Sequence, residues 1–207
     1  MVLADGTQSP VYRSPYLPDG RPQDERSPMC NLYSMLRSQD AMRRLFDAHD
    51  RLGNQPPLPG IYPDYAAPVF RNGPDGRELV TARWGLPSPP SILEGKNRDP
   101  GVTNIRNTTS PHWRAWLAPA HRCLVPLTSF AEPYRKPHGK SEQMVCPRRG
   151  SAAGGLRQAL DEVDVGPEVK EGKVTVDAHA FLTCPPNAEV RAVHPKAMPV
   201  ILTEPTE

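Results

Sequence analysis

The sequence predicts one domain of mixed strands and short helices, with an unusual share of the chain in loops. Proline supplies 27 of the 207 residues, more than double an average usage of about 5%. Inside a helix proline removes a donor and clashes with the preceding turn, so a mainly helical bundle is excluded. Hydrophobic residues at 37% and charged residues at 23% allow a modest core and argue against general disorder. No run of 18 apolar residues occurs, so no helical membrane span is expected.

The elements follow in order. Residues 1–28 hold five prolines and mixed charges without periodicity; they read as a disordered leader or as sequence ahead of the true translation start. Order begins at Met29-Cys30-Asn31-Leu32-Tyr33. Ser38 can cap a helix through Asp47, with Met42, Leu45 and Phe46 on one face. After a proline-rich passage at 56–68, Asn72-Gly73-Pro74-Asp75-Gly76 has hairpin-turn composition, between apolar residues 66–70 and a returning strand at 79–86. Ser110 and Pro111 open a short helix reaching Trp116. Residues 121–130 read as a buried strand, the chain turns between Tyr134 and Lys140, and 181–183 and 198–203 are the last strand candidates.

The interval 135–180 breaks this pattern. It has no Phe, Tyr or Trp and is rich in Gly, Arg and acidic groups, whereas a core strand favours β-branched and aromatic residues. No good core strand is assigned there, and only 155–163 has a helical look.

The net charge of +2 says little about partners. The first 20 residues lack a basic head followed by an apolar stretch, so no secretory signal is read. Cys30, Cys123, Cys146 and Cys184 stand far apart, without the close pairs of a zinc site; no metal and no cofactor is expected. A reduced cytoplasmic setting follows, nucleoid-associated in a bacterium, and a conspicuous cysteine there is a candidate nucleophile.

Four positions invite chemistry, each with an ordinary structural alternative. Cys30, if it became amino-terminal, would carry an amine of pKa near 7.7–8.0 and a thiol near 8.5, both partly available at neutral pH; such a 1,2-aminothiol condenses with aldehydes. The alternative is a buried cysteine at a strand start. In Asn104-Ile105-Arg106-Asn107-Thr108 an amide, a guanidinium and a hydroxyl could hold a phosphate or orient a carbonyl, or serve as turn and cap residues. Glu132 leaves the end of an apolar strand, as a site carboxylate or a solvated one. His194 lies between apolar segments, as an acid–base group or a structural histidine. From Asn104 to Lys140, Arg106, Arg114, Arg122, Arg135, Lys136 and Lys140 face only Glu132. With Trp84, Trp113 and Trp116 nearby, this suits single-stranded nucleic acid; a charged surface over core tryptophans is the alternative, preferred for Trp113 and Trp116.

Taken in order, Met29-Cys30-Asn31-Leu32-Tyr33, Ala82-Arg83-Trp84-Gly85-Leu86-Pro87, Asn104-Ile105-Arg106, Arg122-Cys123-Leu124-Val125-Pro126 with Glu132, and His194-Pro195-Lys196-Ala197-Met198-Pro199-Val200-Ile201-Leu202 resemble the SOS response-associated peptidase family. The resemblance covers residues 29 to about 140 and about 181–205. It implies an α+β fold, a curved, barrel-like antiparallel β core flanked by short helices, here expected to be incomplete over 141–180. The domain would span 29–207, with 141–180 atypical and the C-terminus truncated relative to the family.

The implied function is covalent capture of abasic sites in single-stranded DNA, by a monomer without membrane association. Matched block by block, the resemblance makes Cys30 the nucleophile and has Asn104 position the amino terminus or the sugar. Arg106 would hold a phosphate, Glu132 would relay protons, His194 would assist sugar ring opening and reversal, and Trp84 would stack on a base. The same site would free its own amino terminus by autoproteolysis, with possible lyase activity, and the atypical 141–180 segment is expected to impair it. Two other readings stand beside this one: a non-catalytic single-stranded DNA-binding relative, and a cysteine hydrolase acting on peptides through Cys30, Glu132 and His194.

Overall fold

The computed structural model describes residues 2–3, 31–95, 99, 101–136, 139–147, 152–164 and 173–202. In chain order these form β1 (Val2–Leu3), β2 (Leu32–Met35), α1 (Gln39–Leu45), β3 (His49–Asp50), β4 (Leu58–Ile61), β5 (Ala66–Gly73), β6 (Gly76–Trp84), α2 (Pro90–Leu93) and β7 (Asn104–Ile105). Two 3-10 turns, Pro111–Trp116 and Pro119–His121, lead to β8 (Arg122–Pro126), β9 (Ser129–Lys136), β10 (Gly139–Cys146), β11 (Ala152–Asp164) and β12 (Lys173–Cys184). The chain then makes α3 (Ala188–Arg191), β13 (Met198–Pro199) and β14 (Ile201–Leu202). The fold is mostly β with a few short helices. Met29, Cys30 and most of the expected leader lie outside the described residues; Val2 and Leu3 pair in parallel with Val145 and Cys146.

Two sheets make the frame. The smaller runs β1-β10-β9-β2-β4, and the larger runs β13-β12-β11-β8-β5-β6-β3. In the larger sheet β12 also pairs in parallel with β6, through Ala178 opposite Arg83 and His179 opposite Trp84. Hydrogen-bonded strands therefore form a ring, β6-β5-β8-β11-β12 and back to β6. The last link spans only two residue pairs, so the sheet is strongly curved and not a closed barrel.

Local chemistry accounts for the elements read from sequence. The Ser38 hydroxyl caps α1 by accepting the Ala41 N–H at 3.2 Å, and Met42 turns inward. Phe46 packs on Phe70 with ring centroids 4.4 Å apart. Leu45, expected on the same inner face, is exposed instead, because α1 ends there and offers the core only a narrow stripe. The hairpin of β5 and β6 brings Gly73 opposite Gly76 around Pro74 and Asp75. The helix expected at Ser110 is a 3-10 turn beginning at Pro111, without a side-chain cap from Ser110.

The interval 135–180 is where the structure departs most from expectation. Residues 155–163 belong to strand β11, not to a helix, and β11 pairs with both β8 and β12. Ala152, Ala153, Gly154 and Gly155 are buried, and at Gly155 the available space explains the residue's size. A Cβ added at Gly155 would lie 2.7 Å from the Ala180 carbonyl oxygen and 3.1 Å from Cys123 Sγ. Close packing selects small residues here, in place of the bulky ones that usually mark a core strand.

The interior joins the two sheets. Tyr33 of β2, Trp84 of β6 and Phe181 of β12 meet edge to face, with centroids 5.0 to 5.3 Å apart. Such pairs add about 0.5–1.5 kcal/mol beyond burial. A second cluster gathers Leu86, Ile105, Trp113, Ala178 and Ala180 under the 3-10 turn, which agrees with a core role for Trp113.

Candidate functional site

Glu132 and His194, 62 residues apart in sequence, come together in the interior. Glu132 is carried by β9, which pairs with β2 through Ala131 opposite Leu32 and Phe130 opposite Tyr33. His194 follows α3, whose Asn187 side chain caps it by accepting the Val190 N–H at 2.9 Å. The His194 N–H then bonds the Val190 carbonyl at 2.7 Å, which fixes the histidine at the turn leaving the helix. Both side chains are buried, and His194 Nδ1 lies 3.8 Å from a Glu132 carboxylate oxygen.

That separation is too long for a direct hydrogen bond. Burial, and then the charges of Lys196 and Arg106, hold the His194 imidazole below its ordinary value of 6.5. At neutral pH the pair is thus a neutral imidazole beside a carboxyl group. A neutral imidazole can accept a proton, and the carboxyl group lies close enough to stabilise the imidazolium that forms. His194 Nε2 is buried without a hydrogen-bond partner, leaving that nitrogen available to a reacting group.

Arg106 is exposed, and its guanidinium donates to the backbone carbonyl of Lys196. The contact joins the Asn104-Ile105-Arg106 segment to the loop after His194. Two cationic side chains, Arg106 and Lys196, therefore lie close enough to act on the His194 imidazole. Lys196 lies inside the block that resembles the family, but nothing in the sequence sets its charge apart as a site feature.

Asn104 sits on β7, held parallel to β12 with Asn104 opposite Phe181 and Ile105 opposite Leu182. Its amide donates to the Thr103 hydroxyl at 3.0 Å. The approach to this strand depends on Gly101, whose φ of 71° is costly for residues with a Cβ. A Cβ there would also sit 3.3 Å from the Gly85 Cα.

Trp84 does not fill the role expected of it. The side chain is 0% exposed, enclosed by Tyr33 and Phe181, so no ring face is open to a base. Its indole N–H donates to the Thr103 carbonyl at 3.1 Å, beside Asn104. Trp84 is thus a core residue that anchors the Asn104 segment. Among the described residues the exposed aromatic side chains are Tyr62 and Tyr65, in a passage read from sequence only as proline-rich. Cys30 lies outside the described residues; Asn31 and Leu32, which follow it, enter β2 beside the strand that carries Glu132.

His179 is a further buried polar group missed from sequence. It is opposite Trp84 in the parallel contact of β12 with β6. Burial pushes its imidazole down to about 3, against smaller opposing effects from the backbone at Ala82 and Arg83. Among the described residues, no three His, Cys, Asp or Glu side chains gather as a metal site. No helix among them is long and apolar enough to cross a membrane.

Comparison with solved structures finds the same fold at low identity. A protein from Bordetella bronchiseptica superposes with a TM-score of 0.63 at 23% identity, covering 84% of each chain. A protein from Bacteroides thetaiotaomicron gives 0.62 at 17% identity, over 84% of this chain and 78% of that one. A phage-related protein from Bordetella bronchiseptica gives 0.51 at 18% identity, over 84% and 77%. No curated protein matches the sequence. The family model for the SOS response associated peptidase (SRAP) matches residues 29–207. That span takes in the Cys30 block, the Asn104-Ile105-Arg106 segment and the Glu132–His194 pair, and the chain belongs to the SOS response associated peptidase family.

Proposed function

We propose that this protein captures abasic sites in single-stranded DNA as a covalent thiazolidine through Cys30, after freeing that cysteine's amine by autoproteolysis. The observation that carries the reading is the buried meeting of Glu132 and His194 next to the strand that continues from Cys30. Leu32 is opposite Ala131, the neighbour of Glu132. Leu32 is only two positions after Cys30 in sequence. An abasic site offers no base to read, so its recognition needs an aldehyde trap, a proton-transfer pair and phosphate contacts.

The chemistry runs in four balanced steps. Hydrolysis of the Met29–Cys30 peptide bond consumes one water and frees the Cys30 amine. Sugar ring opening moves the proton of the anomeric hydroxyl to a base and returns one to the ring oxygen; in this reading neutral His194 carries that proton, with Glu132 balancing the charge. The Cys30 amine then attacks the aldehyde carbon and the carbonyl oxygen departs as water, leaving an imine. Addition of the Cys30 sulfur to the imine carbon, with a proton delivered to nitrogen, closes the five-membered ring. Glu132 and His194 serve as the proton carriers in these steps. Arg106 and Lys196 supply positive charge for the neighbouring phosphates, and Asn104 positions the amine or the sugar.

Incubation with single-stranded DNA carrying one abasic site should yield a heat-stable shifted band that disappears in Cys30→Ala. A band persisting in Cys30→Ala overturns Cys30 as nucleophile. Salt-sensitive binding without a covalent product would instead indicate a non-catalytic DNA-binding relative, and turnover of an external peptide a cysteine hydrolase.

A further inference from the structure

Tyr62 and Tyr65 are 46% and 55% exposed, and their rings meet edge to face with centroids 5.6 Å apart. The backbone beneath them is firmly held. The Tyr65 N–H bonds the Tyr62 carbonyl at 3.0 Å, the Asp64 N–H bonds the Trp84 carbonyl at 2.8 Å, and the Trp84 N–H bonds the Tyr65 carbonyl at 2.9 Å. Asp64 between them adopts φ 75°, uncommon for a residue with a side chain. Its carboxylate pairs with Arg83 at 3.2 Å. A Cβ at Gly60 would meet Tyr62 Cε2 at 3.3 Å and Leu32 Cδ1 at 3.6 Å, so the Tyr62 ring lies by Leu32, two residues after Cys30.

Two apolar rings are thus held in water by a turn with an unfavourable dihedral, pinned to the end of β6. Fold stability does not require the exposure. An off-region residue that persists invites a functional reading. Trp84, the aromatic expected to meet a base, is enclosed in the core, while these tyrosines border the strand leading from Cys30. Rigid aromatic faces with little sequence preference suit unpaired bases, which all present a flat π-face. We infer that Tyr62 and Tyr65 form a stacking platform for the unpaired bases flanking the captured site. The inference rests on the function proposed above and adds the part of the substrate that surrounds the lesion.

Two substrates and two double variants test it. The substrates are an abasic site flanked by thymines and one flanked by base-free tetrahydrofuran spacers. At subsaturating DNA, Tyr62→Leu/Tyr65→Leu should slow cross-linking about 5- to 150-fold on the thymine-flanked strand, the range expected for loss of one stacked base. The same variant should match wild type on the spacer-flanked strand, and Tyr62→Phe/Tyr65→Phe should behave as wild type on both. Equal rates for wild type and the Leu variant on thymine-flanked DNA overturn the platform, as does an equal loss on both substrates. If wild type cross-links neither strand, the proposed function fails. Binding of a ten-residue oligothymidine by fluorescence anisotropy then decides the platform: weaker binding by the Leu variant and not by the Phe variant supports it, and unchanged affinity overturns it.

Discussion

The His194 imidazole beside Glu132 owes its character first to burial. The imidazole sits 3.8 Å from the carboxylate, but desolvation and the cationic pair Lys196 and Arg106 keep it neutral. A neutral histidine is the form that can take a proton, and in the proposed function Glu132 stabilises the cation that would result. Replacing Glu132 with Gln keeps the shape and removes that charge. Cross-linking in Glu132→Gln should slow by about 10²-fold or more, the usual scale for a positioned proton carrier, with little change in melting temperature. An unchanged rate, measured by quenched time points on a denaturing gel, would remove Glu132 from the chemistry. Residue type and order made both groups visible in the sequence, but their proximity depends on β9 and the turn after α3, which no local pattern reveals. Trp84 was legible as an important aromatic; its direction was not, because inward and outward positions of a strand end look alike without the partner strands.

At the scale of elements, hairpin, cap and short-strand signals were readable because local chemistry sets them. The capped α1 and the β5–β6 hairpin follow from Ser38 and from the turn between Asn72 and Gly76. Strand β11 was not readable, since its identity comes from neighbours. At Gly155, between β8 and β12, there is no room for a larger side chain, and the run of small residues at 152–155 mimics a helix or loop. Two adjacent glycines provide a direct check. Gly155→Ala drives a methyl against the Ala180 carbonyl and should destabilise the fold by about 1–3 kcal/mol, as overpacking does. Gly154→Ala places its methyl 3.8 Å from Val200, an ordinary contact, and should be near neutral or slightly stabilising. Urea midpoints for the two variants should differ in that direction; equal midpoints would show that β11 is not packed between these strands.

Across the whole molecule, two curved sheets bring together segments that sequence leaves far apart, and one buried group reports on that assembly. His179 lies at the seam where β12 meets β6. Its imidazole resists protonation down to about 3 in the folded chain, whereas the unfolded chain takes up that proton below about 6.5. The unfolded state therefore binds more protons between these values, and stability should fall with pH by up to about 1.4 kcal/mol per unit in that window. Unfolding free energies measured from pH 7 to pH 5 should show this slope in the wild type and a shallower one in His179→Leu; identical slopes would contradict a neutral, buried His179. The proposed function turns on the other end of the sequence, at Cys30. It is tested most directly by the intact mass of the product formed with single-stranded abasic DNA. The expected mass is that of a protein beginning at Cys30 plus the oligonucleotide minus one water. Unmodified DNA beside a chain that still carries residues ahead of Cys30 would contradict it.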